Sequence, residues 1–244
     1  MKILTPFKSV PANYGQPGAL SAGGRRLINP FDQIAIEEAV RLRERGVATE
    51  ITAVTIGPAT VEEEIRAAYA MGCDRAMRVD DARQLDPYAV ARVLLAVVRA
   101  ESPDVVLMGK QSVDDDASQV GPMLAGLLGW PQATFVSKLE PADDRCSAAC
   151  IRETDAGLET ITVRFPAIVT CDLRLNEPRY VSLPGLIKAR RKPIELRTPV
   201  ALGVKVESQT TVVRISAPPR RPAGVTVESV AELVTKLRVE AKVL

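Results

Sequence analysis

Histidine is absent from the 244-residue sequence. With it go the commonest acid/base group near neutral pH, every His-containing catalytic triad and every His-bearing zinc or iron site. Cysteine is sparse: Cys73, Cys146, Cys150 and Cys171 form no CxxC pair, which argues against thiol redox chemistry and Cys-ligated clusters and suits a cytoplasmic chain. Aromatic residues make up only 4%. Neither sign of charge prevails, 32 basic residues standing against 30 acidic, so no global field draws in a polyanion and no nucleic-acid partner is expected. No apolar run approaches the roughly 18 to 20 residues of a membrane span. The opening MKILTPFKSV sets two lysines around a short strand-like segment and soon reaches Pro11, unlike a secretory signal; a chain that starts near Met1 and is not membrane-embedded is expected.

What is present suits a globular protein: 46% hydrophobic and 25% charged residues, with 15 glycines and 18 prolines. The first 140 residues alternate β-rich runs with helical patterns, the form of an α/β fold with an open, mostly parallel sheet and helices on both faces. Strands are expected at 2–6, 50–56, 75–79, 104–108 and 133–137. Asn29-Pro30 marks a helix start, with Asn29 as cap; Ala35, Ile36, Ala39 and Val40 face the sheet, and Glu37, Glu38, Arg41 and Glu44 face out. Thr60 and Glu63 form a capping box for the next helix, Pro87 opens a third, and a fourth covers about 117–128. Residues 147–153 and 159–165 read as a β-hairpin, 167–172 as another strand, 184–193 as a short basic helix and 211–215 as a β-like run. A terminal helix, about 227–237, carries Val230, Val234 and Leu237 on one stripe that requires burial. Residues 1–194 are expected to form the α/β domain and 195–244 a C-terminal extension.

In an open parallel sheet, ligands sit beyond the carboxyl ends of the strands, where strand order reverses. Three loops qualify: Pro6 to Ser9, Ile56 to Ala59, and Gly109 to Gln119. Gly109 permits close approach, and Ser118 and Gln119 offer donors at a helix start suited to phosphate. Asp114, Asp115 and Asp116 would repel a phosphate unless they cap amides, bind a ribose hydroxyl or meet Lys110. The loop is thus either a nucleotide site or a structural cap, and a magnesium site on the aspartates is weaker still. No Walker GxxxxGK[ST] and no GxGxxG after the first strand occur. Cys146 and Cys150 read as structural. Lys188, Arg190, Arg191 and Lys192, with Arg179 nearby, make either a solvated face or a docking surface for an acidic partner. Leu183, between Ser182 and Pro184, is a turn residue tucked inward or an exposed anchor.

The segment VTCDLRLNEPRYVSLPGLIKARRKPIE, 169–195, resembles the signature of the electron transfer flavoprotein beta subunits. NPFDQIAIEEAVRL from Asn29, GPA at Gly57, GKQSVDDDASQVGPMLAGLLGWPQAT from Gly109, RETDAGLE from Arg152 and PPRRPAG from Pro218 support it in the family's order. The resemblance implies a Rossmann-like, adenine-nucleotide-binding fold and a heterodimer in which a larger alpha subunit holds most of the FAD while this chain buries one AMP. It implies an electron carrier rather than an enzyme. Electrons pass from flavoprotein dehydrogenases of the acyl-CoA dehydrogenase type, in fatty acid beta-oxidation, to a membrane-associated quinone oxidoreductase.

Carried over residue by residue, the AMP site is Pro6; Asn29, Pro30, Phe31 and Asp32; Ile56; and Gly109, Lys110, Gln111, Ser112, Val113, Asp114, Asp115, Asp116, Ala117, Ser118, Gln119 and Val120. Ser118 stands where the family usually has Asn, and Val120 where several members have Thr. Residues near the flavin ring match Asn13 or Tyr14, and Arg152-Glu153. The dehydrogenase-recognition loop matches Arg179 to Lys188 with Leu183 as anchor, and the C-terminal region is expected to pack on the alpha subunit. The alternative is an adenine-nucleotide-binding regulatory or stress-type protein of the same layers. An adenylating enzyme is disfavoured because no SGGxDS-like loop follows the first strand.

Overall fold

A computed structural model describes residues 1–13, 24–214, 216 and 223–244. It divides into two units, Met1–Thr211 and Val212–Leu244. In the first, strand β1 (Lys2–Pro6) is followed by β2 (Ser9–Pro11) and β3 (Arg26–Ile28), which pair with each other as a separate antiparallel ribbon. Helix α1 (Pro30–Glu44) opens on Pro30, whose missing N–H costs nothing there, and ends at Gly46, where φ is +73°. After β4 (Glu50–Ile56), a 3-10 turn over Ala59–Val61 runs directly into α2 (Glu62–Met71). The expected capping box does not form, because Thr60 is itself inside that turn; no side chain caps α2. Strand β5 (Arg75–Val79) leads to α3 (Pro87–Glu101), which Asp86 does cap, accepting from the Ala89 amide at 2.8 Å.

Strand β6 (Val105–Gly109), helix α4 (Val120–Leu128) and β7 (Gln132–Pro141) come next, then the hairpin β8 (Ser147–Thr154) and β9 (Gly157–Arg164). Strand β10 (Ala167–Cys171), helix α5 (Leu183–Arg191) and β11 (Glu195–Arg197) complete the unit's regular elements. The nine-stranded sheet runs β11-β5-β4-β1-β6-β10-β7-β8-β9. Every pairing from β11 to β7 is parallel, and β8 and β9 add antiparallel at one end. This α/β architecture with a mostly parallel sheet agrees with the sequence reading.

Period-two alternation sorts the core. Ile3, Ile51, Val105, Leu107 and Val169 pack under α1 and α2, while Leu4, Val54, Val106 and Ile168 pack under α3 and α4. Two helix faces depart from expectation. Glu37 and Glu38 are only 2% and 5% exposed, because residues 172–181 lie across the outer side of α1 and supply partners there. The terminal helix, α6 (Val230–Val239), has no fully buried residue: Val230 is exposed and Val234 and Leu237 are half-buried, so its apolar stripe is incompletely covered. Residues 211–214 form no strand, and Ile215 lies outside the described residues. The 194/195 boundary falls inside the first unit: β11 pairs with β5, and Val206 is buried against the α3 side.

Candidate functional site

The chain steps from β1 outward through β4 to β5, then returns to β6 on the other side of β1. The order therefore reverses between β1 and β6, and the crevice beyond their carboxyl ends is where an open parallel sheet takes ligands. Pro6, Ile56 and Gly109 end β1, β4 and β6 along this edge.

Loop 109–119 is tied to the start of α1. Asn29 does not use its side chain to cap its own helix; its Nδ2 donates to the Gln111 carbonyl at 2.8 Å and its Oδ1 accepts from the Val113 amide at 3.1 Å. Buried Asp32 accepts from the Gly109 amide at 2.8 Å and the Lys8 amide at 2.9 Å, joining the end of β6, the loop after β1 and α1 at one carboxylate. Burial pushes the Asp32 carboxyl up to about 6, against the pull of these two amides and the Lys8 ammonium. The demand for glycine at 109 is set here: a Cβ would lie 2.5 Å from Asp32 Oδ1 and 2.6 Å from Phe31 Cβ. The close approach expected from a ligand is made by α1 itself.

The acidic run meets Lys8, not Lys110. Lys8 Nζ is 2.9 Å from Asp114, 3.0 Å from Asp115 and 3.2 Å from the Ser112 hydroxyl. Asp115 also accepts from the Ala117 amide, and Asp116 from the Gln111 side chain. Burial raises the Asp115 carboxyl, but the Ala117 amide and Lys8 outweigh it and leave it below its ordinary value. Asp116 and Ser118 take φ of 49° and 54°, which breaks the helical path, so α4 begins at Val120 rather than near Ala117. Ser118 Oγ donates to Gln111 Oε1, and no side chain caps α4. Its first amides are therefore left to another acceptor.

Lys110 points along the edge toward β10. Its ammonium is 2.7 Å from Asp172 and sits 5.4 and 4.9 Å from the ring centres of Phe31 and Phe135. Asp172 accepts in turn from Arg174 Nε at 3.1 Å, and Arg174 pairs with Glu153. Burial raises the Asp172 carboxyl, yet Lys110 and Arg174 hold it below the ordinary value. Arg152 lies 3.3 Å from Glu159 and keeps a buried Nε without a partner. The edge thus carries a charge chain from Lys110 to Glu153. Tyr14 lies outside the described residues, and Asn13 is half-buried after β2.

Sequence reasoning gave no role to Lys8, Phe135, Asp172 or Arg174. A lysine just past the first strand and an aspartate closing a buried strand were the available signs. Arg179 leaves the basic set, because it pairs with Glu37 and Glu44. Lys192 turns onto the Tyr69 ring and the Cys73 carbonyl, while Lys188, Arg190 and Arg191 fill the last turn of α5. Leu183 is the first residue of that helix, behind the Ser182 cap, and is 71% exposed beside Tyr180 at 99% and Ile187 at 52%.

The family model for the electron transfer flavoprotein domain matches residues 19–202. The chain is 47% identical over 252 residues to the electron transfer flavoprotein subunit beta of Bradyrhizobium diazoefficiens, covering all of both chains. It is 46% identical over 256 residues to the mitochondrial beta subunit of Oryza sativa subsp. japonica, again covering all of both. Against the human beta subunit it is 47% identical over 225 residues, covering 91% of this chain and 88% of the human one.

Proposed function

The chain belongs to the electron transfer flavoprotein beta subunits, and from that premise we propose that it is the half of a heterodimeric electron carrier that holds AMP and presents the docking surface, while a larger alpha subunit holds most of the FAD. In this reading electrons come from acyl-CoA dehydrogenase-type flavoproteins and leave to a membrane quinone oxidoreductase. Bound FAD supplies the redox chemistry. This chain positions and recognises. No helix among the described residues is long and apolar enough to cross a membrane, and a cytoplasmic location is part of the proposal.

The observation that carries the reading is the loop at the switch point. Asn29 and Asp32 hold 109–113 in place, Lys8 pairs with both Asp114 and Asp115, and α4 starts with uncapped amides. That donor set fits a phosphate, since the three carboxylates are engaged by Lys8, the Ala117 amide and the Gln111 side chain and a helix amino end favours an anion. Gln119 and Val120 would hold the phosphate by backbone, which makes the side-chain change to Val120 tolerable. Pro6 and Ile56 supply the apolar wall for an adenine. Toward the flavin, Arg152 has a buried N–H to donate, and Glu153 is steadied by Arg174. Tyr180, Leu183 and Ile187 form an apolar tip with Lys188, Arg190 and Arg191 behind it, suited to an acidic-rimmed apolar pocket. The domain proposal is that the extension, α6 above all, covers its stripe against the alpha subunit.

Co-expression with the alpha subunit should yield a 1:1 yellow complex that releases one FAD and one AMP on acid extraction. The isolated chain should retain no stoichiometric FAD. An extract holding no adenine nucleotide beyond FAD would defeat the AMP assignment. Leu183→Ala should raise the apparent KM for a reduced acyl-CoA dehydrogenase roughly 10- to 100-fold, the worth of one buried leucine, with FAD content unchanged.

A further inference from the structure

Arg179 sits one residue before the most exposed aromatic ring of the described chain, yet four of its guanidinium's five N–H groups are already used. It forks onto Glu37 through Nε at 2.8 Å and a terminal nitrogen at 3.0 Å, and onto Glu44 through both terminal nitrogens at 2.6 and 3.0 Å. Its own amide donates to Glu37 as well, at 3.2 Å. Around it, Arg41 reaches Glu37 at 3.0 Å and the Glu177 carbonyl at 3.1 Å, and the Asn176 side-chain Nδ2 donates to the Ile34 carbonyl and to Glu38. Burial raises the Glu37 carboxyl, but the hydrogen bonds from Arg179 and Arg41 outweigh it and leave it below its ordinary value.

The other end of the segment is pinned too. Ala189 is buried, Arg66 donates to the Ala189 and Lys192 carbonyls, and Tyr69 donates to the Pro193 carbonyl. Between these anchors Ser182 caps α5, and Tyr180, Leu183 and Ile187 stand in solvent. Exposed apolar side chains on a free loop would lose conformational entropy on binding; mounted on a braced segment they lose far less.

We propose that Arg179, gripped by Glu37 and Glu44 of α1, is a positioning residue that preorganises the apolar docking tip at 180–187 and is not itself a steering charge. The proposal rests on the docking reading above. It makes α1, whose amino end carries Asn29 and Asp32, the common frame of the nucleotide loop and the docking tip.

The discriminating variant is Glu44→Gln, because Glu44 is on the surface and its loss leaves Glu37 paired. If Arg179 steered an acidic partner, freeing it and removing a negative charge would speed association. As a clamp, its loosening should weaken docking instead. In the intact heterodimer, Glu44→Gln should raise the apparent KM for a reduced acyl-CoA dehydrogenase roughly two- to fivefold, the range of one exposed ion pair. Turnover at saturating dehydrogenase, FAD content and melting temperature should hold, and amide exchange across 176–187 should quicken. Glu44→Asp should recover part of the loss, which a surface-charge effect alone would give in full. Leu183→Ala is run alongside. If Leu183→Ala raises KM and Glu44→Gln lowers it or leaves it unchanged, the clamp is wrong and docking stands; if Leu183→Ala leaves KM unchanged, the docking reading itself has failed.

Discussion

At the scale of single residues, Asp32 is the tightest junction in the site. Its two oxygens serve backbone amides from separate places, Gly109 at the end of β6 and Lys8 in the loop after β1, and it does so while buried. Its folded pKa, about 6, lies above the ordinary 3.8, so this group's contribution to stability is fully present below about 3.8 and is lost as pH rises through about 6. Asp32→Asn has one carbonyl for two amide donors, which should cost about 1 to 3 kcal/mol. Urea unfolding at a series of pH values checks both effects. The stability of the wild type relative to the variant should fall between about pH 4 and pH 6 and be flat above; a constant difference would contradict the titration, and no difference at all would contradict the junction. Gly109 follows from the same geometry, since any Cβ there strikes Asp32.

Among the elements, α3 shows how one carboxylate does two jobs. Asp86 caps the helix through Ala89, accepts from the amides of Gln209 and Thr210, and gives its own amide to the Ser208 hydroxyl. Arg83 adds a bond to the Val206 carbonyl, and Val206 is buried against α3's side of the sheet. The chain leaving β11 is thereby fastened just before the second unit begins at Val212. Asp86→Ala should cost about 0.5 to 2 kcal/mol for the cap. It should also expose the chain around 205–211 to protease, read by limited proteolysis and mass spectrometry of the fragments. Cleavage unchanged from wild type would show that Val206 packing alone holds the segment.

For the whole molecule, the division into units bears on assembly. The two buried clusters draw all their residues from Met1–Thr211, and α6 contributes none. A chain ending at Thr211 should therefore fold with a melting temperature close to that of the full chain. It should assemble with the alpha subunit at least about tenfold more weakly, because an apolar stripe of several aliphatic side chains has lost its place. Differential scanning calorimetry and analytical gel filtration of the two lengths test this. A truncated chain that melts much earlier would return the extension to the core, and one that assembles normally would remove it from the interface.

Local rules determined the strands and most helices. Short β-rich runs at 2–6, 50–56 and 75–79 mark β1, β4 and β5 at their observed ends, and Pro30, Pro87 and Gly129 punctuate helices because their backbone constraints are intrinsic to the residue. The carboxyl-edge loops were equally legible, since a parallel sheet can expose a crevice only there. What tertiary structure alone decided is where long side chains find partners. Glu37 and Glu38 read as a solvated face until residues 176–179, about 140 positions later, arrive to cover them; of the partners open to the loop aspartates, Lys8 and the Ala117 amide are the ones met, while Lys110 goes to Asp172; and Arg179 pairs with Glu37 and Glu44. Helical period reports which residues share a face, but a charge is paired by whatever the fold brings within about 3 Å, and that distance depends on how segments far apart in sequence are laid against each other.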